Sequence, residues 1–428
     1  MSRLRAILIL TAASLVGMLV SGRAVFYTLF YVFVALIILS LFWAWTGSHW
    51  LVLRRQMRAR RAQVGRPLEE RLFVRNTGVF PKIWLEIRDH SGLPGHRASF
   101  AVSNLLPRSE SMWHVYTTCQ ERGRFTIGPV TLSSGDPFGL FRLKRHLSET
   151  VSLVVYPAVV DLRVFPLPLG QSLGGDALRR RTHYVTTNAA GVRDYAPGDG
   201  FNRIHWPSTA RRDRLIVKEF ELDPVPDVWI VLDMARAVHY DAGVNEWRQQ
   251  ILAMDRWVPW ARRPQLSLPP STEEYAVTVT ASIAQYFLHN NRALGLVACG
   301  HQREVLQPDR GTGQLTRIME TLAVLRARSH LALHEVLATE AVGFARGTTL
   351  IIVTPSTDIR WVITSRHLNR SGLQVVAALI DPLSFGGQET VAEISAQLTL
   401  DGIPSYVIRK DDLIEDVLSR AVYLRRPV

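Results

Sequence analysis

The chain has 428 residues, 47% apolar and 20% charged, with a formal net charge of +13. That length predicts two or three domains, the apolar share excludes a disordered or collagen-like chain, and the basic excess calls for a polyanionic neighbour, either an anionic membrane or a nucleic acid. The two cysteines, Cys119 and Cys299, are far apart and form no CxxC pair. They give no reason to expect a disulfide framework or a zinc site and read as two buried thiols in a reducing compartment.

Residues 1–50 predict two transmembrane helices. "AILILTAASLVGMLV" starts at Ala6, and "AVFYTLFYVFVALIILSLFWAW" runs from Ala24 to Trp45 without a charge. At about 1.5 Å per residue the second stretch crosses a hydrocarbon core of roughly 30 Å. Trp43, Trp45 and Trp50 fall where an interfacial aromatic belt would lie. Arg3 and Arg5 precede the first span, Arg54, Arg55, Arg58, Arg60 and Arg61 follow the second, and only Arg23 lies between. The positive-inside rule then puts both ends in the cytoplasm. A cleaved signal peptide is the rival reading of the first stretch. Residues 51–63 read as a basic juxtamembrane linker drawn to anionic lipid.

Residues 64–165 predict a small β-sandwich-like domain. "RLFVRNTG" and "KIWLEIRD" alternate apolar and polar residues, and turn signals separate such runs. Asp136, in "SSGDPFG", reads as a structural turn residue.

Residues 226–428 predict an α/β domain. "VWIVLD", "ALGLVACG", "TTLIIVTP", "LQVVAALID" and "PSYVIRK" read as strands alternating with helices such as "EEYAVTVTASIAQYFLHN". This pattern predicts a mainly parallel sheet with ligands at the carboxyl ends of its strands. An insertion at 237–270 breaks the rhythm with Trp247, Trp257 and Trp260 among basic residues. It reads as an amphipathic helix on its own domain, or as a contact for lipid or a partner.

Chemical signatures are sparse. The sequence holds no P-loop, nucleophile elbow or zincin pair, and "GTGQLT" at Gly311 reads as a helix start rather than a dinucleotide fingerprint.

The densest charge lies in residues 185–225, within "GVRDYAPGDGFNRIHWPSTARRDRLIVKEFE". Ala196 to Asp199 suits a type II turn, Asp199 can cap a short helix through "GFNRIH", and "RLIVKEFE" returns as a strand. Arginines among aspartates predict charge-assisted pairs. The segment reads as a structural clamp or as a fixed surface for a partner, and an acid/base pair of Asp199 and His205 is the catalytic reading.

The same segment resembles the signature of the bacterial family called domain of unknown function 58. Arg193, Tyr195, Gly198, Asp199, Arg203, Ile204, Trp206, Ala210, Arg211, Glu219 and Phe220 match its pattern. Paired N-terminal spans and "RGRFTIGPV" with "DPFGLF" extend the likeness. The resemblance implies a multidomain α+β protein with two transmembrane helices, a small β-sandwich-like domain and a C-terminal von Willebrand A-like (Rossmann-like) domain. It implies a place in the bacterial inner (cytoplasmic) membrane, with the N-terminus and soluble domains in the cytoplasm. It also implies work with MoxR-type AAA+ ATPases in assembly or maturation of complexes.

In von Willebrand A-type domains the position of Asp233 opens an Asp-x-Ser-x-Ser loop that holds Mg²⁺. Here Ala235 and Ala237 replace both hydroxyls, and Asp358 is a weak substitute for a later acidic ligand. The metal site is degraded, so no cofactor is expected. The functional expectation is a non-enzymatic, membrane-anchored adaptor. Its contacts are membrane lipid and a protein partner, met by Arg193, Tyr195, Gly198, Asp199, Arg203, Ile204, Trp206, Arg211 and Glu219. No nucleic acid or small-molecule substrate is expected. The alternatives are a hydrolase using Asp199, His205 and Asp233, and a membrane-tethered nucleic-acid binder.

Overall fold

The computed structural model describes residues 3–166, 189–196, 204–220, 227–254 and 267–420. The chain forms two compact units: Met1–Ala158 with Gly243–Pro269 and Leu322–Val324, and Val159–Ala242 with Pro270–Thr321 and Leu325–Val428.

The first unit opens with helices α1 (Arg3–Ser21) and α2 (Ala24–Ser48), both long and apolar enough to cross a membrane by length and composition. Ten strands follow: β1 (Leu51–Met57), β2 (Arg61–Gln63), β3 (Pro67–Asn76), β4 (Lys82–Asp89), β5 (Phe100–Leu105), β6 (Glu110–Thr118), β7 (Gly123–Ile127), β8 (Val130–Gly135), β9 (Arg142–Leu147) and β10 (Val151–Tyr156). They form three sheets, ordered β1-β3-β6, β2-β10-β7 and β5-β4-β8-β9. β3 shows the expected alternation, burying Leu68, Leu72 and Val74, and Leu85 and Ile87 of β4 join another cluster with Leu132 of β8. Asp136 is a turn residue, as expected: its carboxylate accepts from the amides of Phe138 at 2.9 Å and Phe141 at 2.7 Å. Cys119 is a buried thiol outside any disulfide.

Residues 51–63 correct the sequence reading. They are not a linker, because β1 and β2 already belong to the sheets. Arg55 turns inward rather than toward lipid. Its Nε lies 2.6 Å from Glu70 Oε1, its Nη2 meets Asp89, and His96 Nε2 sits 3.1 Å from Glu70 Oε2. An arginine on a strand's inward face must carry its counter-ions with it.

The last turn of α2 is buried in this unit at Ala44, Thr46, Gly47 and Ser48. A Cβ on Gly47 would stand 2.5 Å from Ser134 Oγ, so glycine is what lets the helix approach β8. A helix leaves its final carbonyls without partners. Lys82, on β4, donates from Nζ to the Thr46 carbonyl, and its ammonium lies 5.6 Å from the centre of the Trp50 ring. Burial holds the Lys82 ammonium below its ordinary range.

The second unit begins with an antiparallel pair, β11 (Ala189–Asp194) and β12 (Ile216–Phe220), with helix α3 (Trp206–Arg212) between them in sequence. β13 (Val228–Leu232) follows. Helix α4 (Val244–Met254) comes next in sequence but groups with the first unit, so the insertion does not pack on its own domain as expected. Trp247 donates to Ser267 Oγ at 2.9 Å, while Trp257 and Trp260 lie outside the described residues. Then come α5 (Thr272–His289), β14 (Leu294–Cys299), β15 (Arg303–Asp309), α6 (Gly311–Val324), α7 (Leu333–Glu340), β16 (Thr349–Thr354), α8 (Ile359–Arg370), β17 (Gln374–Ile380), α9 (Ala392–Leu400), β18 (Ser405–Ile408) and α10 (Ile414–Ser419). The sheet order is β15-β14-β13-β16-β17-β18, parallel except for β15. This is the doubly wound, Rossmann-like arrangement the alternating pattern predicts. β13, β14 and β16 are buried along their whole length, which is why they read as unbroken apolar runs.

Candidate functional site

Two features of the second unit stand where function was expected. The first is the segment from β11 to β12. Tyr195 N donates to the Leu215 carbonyl at 2.9 Å, and Ile204, buried, bridges to Val217. Trp206 and Pro207 open α3, and Asp213, in the left-handed region at φ 52°, closes it. Of the helix predicted through "GFNRIH", residues 200–203 lie outside the described residues, and Ile204 and His205 are not helical. His205 Nδ1 shares a hydrogen bond with Ser208 Oγ at 2.6 Å, and Thr209 Oγ1 accepts from Ile216 N at 3.1 Å, tying α3 to β12.

Ile204, Ile216 and Val217 are buried, while α3 starts with Trp206, 63% exposed, and ends with exposed Arg211 and Arg212. The predicted charge pairing survives in part. Arg214 Nη1 lies 3.1 Å from Asp194 Oδ2, and both side chains are more than half exposed, so the pair contributes little stability. Gly198, Asp199 and Arg203 lie outside the described residues. Arg193 and Glu219 are placed only by their backbones, on β11 and β12, where Glu219 pairs with Gly191 and Arg193 with Val217. The structure therefore brings Tyr195, Ile204, Trp206 and Arg211 into one segment, with Ile204 as its buried pin.

The second feature is the crevice at the carboxyl ends of β13 and β16, where the strand order reverses. A cavity of about 470 Å³ opens there, lined by Arg236, Val238, His330, His334, Asp358 and Trp361. Asp233, just past the end of β13, lies beneath it and is buried. Its Oδ1 accepts from Ala235 N at 3.0 Å and its Oδ2 from the Thr354 hydroxyl at 2.7 Å. Thr354 Oγ1 in turn accepts from Ser356 N at 2.9 Å. His239 Nε2 donates to the Asp233 carbonyl at 3.0 Å, which leaves Nδ1 to face Thr272 Oγ1 at 3.1 Å. Burial pushes the Asp233 carboxyl up, and the Thr354 hydroxyl partly opposes it.

These residues do not fit the divalent cation of von Willebrand A-type domains. Mg²⁺ takes six oxygens in near-octahedral array. Ala235 and Ala237 supply none from their side chains. Both Asp233 oxygens accept protein hydrogen bonds, and the Asp358 carboxylate is held by Arg360 at 2.7 Å while capping α8. No cluster of three His, Cys, Asp or Glu suited to a metal occurs among the described residues. Asp233 is a strut that fastens the end of β13 to the end of β16.

Sequence reasoning missed His330, His334 and Ser329 in this crevice. Ser329 pairs through its backbone with Met234 and Arg236. No motif marks it. The one usable signal is the rule that ligands sit at strand ends where the order reverses.

These features define a class: an α+β chain with two span-length apolar helices, a β-sheet unit, and a doubly wound unit bearing a basic, tryptophan-tipped segment. Residues 191–257 match the family described as "Protein of unknown function DUF58". It is 23% identical over 323 residues to the uncharacterized protein YeaD of Bacillus subtilis (strain 168), covering 74% of this chain and 73% of that one. Two solved structures are similar over 45% of this chain, each at 13% identity. One is the conserved hypothetical protein BatB from Bacteroides thetaiotaomicron, 95% covered with a TM-score of 0.31. The other is an aerotolerance-related membrane protein from Bacteroides fragilis NCTC 9343, 94% covered with a TM-score of 0.30.

Proposed function

We propose that this chain is a membrane-anchored adaptor that docks a protein partner through the α3 face. In this reading α1 and α2 hold it in the bacterial inner membrane with its soluble units in the cytoplasm, as the arginines flanking the helices favour. The observation that carries the proposal is Trp206, an indole left 63% exposed at the start of a short helix that follows buried Ile204 and is tied to β12 through Thr209. Tryptophan and arginine are the side chains most enriched among binding hot spots. An anchored indole loses little conformational freedom on binding, so it is suited to that role. The partner we assign is a MoxR-type AAA+ ATPase acting in assembly or maturation of complexes, and the adaptor itself is not an enzyme.

The test uses the full chain in detergent and a purified MoxR-type ATPase from the same organism. The wild type should retain the ATPase on an affinity column and Trp206→Ala should lose it, with unchanged thermal unfolding because the indole is exposed. Equal retention by both proteins, or by neither, would refute docking through α3. Hydrolytic turnover abolished in Asp199→Ala, with the fold intact, would replace the adaptor by an enzyme.

A further inference from the structure

Three loop tips of the first unit carry apolar side chains that the fold leaves uncovered. Val79 and Phe80 lie on the β3–β4 loop, Leu106 on the β5–β6 loop and Phe138 on the β8–β9 loop. All four are exposed, Val79 at 63% and Leu106 at 56%. Apolar side chains scattered singly over a surface are ordinary, whereas a cluster of them marks a contact.

One side chain sets the first two tips together. Asn76 closes β3 and is wholly buried. Its Nδ2 donates to the Phe80 carbonyl at 2.9 Å and to the Leu106 carbonyl at 3.1 Å, and its Oδ1 accepts from Gly78 N at 3.0 Å. The third tip is built on Asp136, which is buried and accepts from the amides of Phe138 and Phe141.

All three tips lie against the span-length helices. The Phe80 ring meets Phe42 of α2 edge to face, with 5.6 Å between centres. A Cβ on Gly78 would stand 3.2 Å from Trp50, whose ring meets Trp45 of α2 at 5.2 Å. A Cβ on Gly139 would stand 2.9 Å from Arg3 Nη1 at the start of α1. Tryptophans at the end of a span mark the headgroup level. Phe42 precedes Trp45 by three residues, about 4.5 Å further along the helix toward the bilayer centre. A loop that touches Phe42 has therefore passed the headgroup level.

We propose that these three loop tips enter the bilayer beside α1 and α2, so that the β-sheet unit rests on the membrane. Val79, Phe80, Leu106 and Phe138 then lie among the upper acyl chains, and exposed Arg3 and Arg108 meet the lipid phosphates. The inference rests on the membrane-anchored reading and deepens it. Apolar side chains gain by leaving water, and arginine can reach back to the headgroups. Glu110, the acidic residue that follows the second tip, lies opposite Arg75 in the β3–β6 ladder.

The experiment places the full chain in nanodiscs of phosphatidylcholine and phosphatidylserine. An environment-sensitive dye is attached in turn to Val79→Cys, Leu106→Cys, Ile38→Cys within α2, and Arg58→Cys. Arg58 follows Met57, at the end of β1 far from α2, and its side chain is 87% exposed. Cys119 and Cys299 are buried. Lipids carrying a nitroxide on the acyl chain should quench the dye at positions 38, 79 and 106 and leave it bright at position 58. The bare thiols at positions 79 and 106 should resist a water-soluble maleimide that modifies the one at position 58. Each variant should unfold thermally like the wild type, because the substituted side chains are exposed. Quenching at position 38 without quenching at 79 and 106, or equal quenching at 58, would overturn the inference and leave the anchor standing. No quenching at position 38 would end the anchor reading and this one with it. Thiols shielded at 79 and 106 without quenching would put a second copy of the chain over the tips, and the bilayer assignment would fall.

Discussion

Replacing Thr354 by valine keeps the shape of a wholly buried side chain and removes one hydroxyl. That hydroxyl donates to Asp233 Oδ2 and accepts from Ser356 N. With the acid neutral, each of these hydrogen bonds is worth about 1 kcal/mol, so the substitution should cost about 2 kcal/mol. The second half of the argument concerns protonation. Burial raises the Asp233 carboxyl above its ordinary value of 3.8, so the fold favours the protonated acid. For a raised group the stabilising contribution is complete below the ordinary value and is lost as pH rises through the folded value. Asp233→Asn should therefore match the wild type in acid and gain on it as pH rises from about 4. Native-state hydrogen exchange of β13 and β16 peptides in the detergent-solubilised chain reads the opening free energy. Thr354→Val should accelerate it roughly thirtyfold. Acceleration below about fivefold would refute the strut.

Two further outcomes follow from the second unit. Tyr406 donates to the Pro166 carbonyl at 2.7 Å, and burial pushes its phenol up to about 12. Its contribution is complete below the usual value of 10 and is lost as pH climbs toward 12, so alkaline titration of thermal stability should show a fall in that window that Tyr406→Phe abolishes. Gly295 on β14 faces Trp229, and a Cβ there would lie 2.7 Å from the indole. Gly295→Ala should cost about 2 kcal/mol in opening free energy, and exchange unchanged within about twofold would contradict the packing.

The fold was largely legible because its signals are local. β13, β16 and β17 are unbroken apolar runs, and their parallel pairing follows from the helices between them. β15 escaped because it is an antiparallel edge strand with no fully buried residue and contains Pro308, a residue that argues against a strand. Residues 51–63 were misread because arginine on an inward strand face looks the same as arginine on a linker until Glu70 and Asp89 are placed beside it. The candidate site was legible in part. Trp206 and Ile204 were picked by their match to the family pattern, but which of them is the pin and which the tip depends on the β11–β12 pairing. The Asp233 strut could not be read at all, because its partner Thr354 lies 121 residues away.

The seam between α2 and the β-sheet unit has a mechanical meaning. A transmembrane helix tilts when the bilayer thins, and a flexible tether would absorb that rotation before it reached a soluble domain. Here the final turn of α2 is wedged against β8 through Gly47 and clasped by Lys82, and β1 begins only three residues later. In the adaptor reading, tilt of α2 would be handed on as rotation of the whole β-sheet unit.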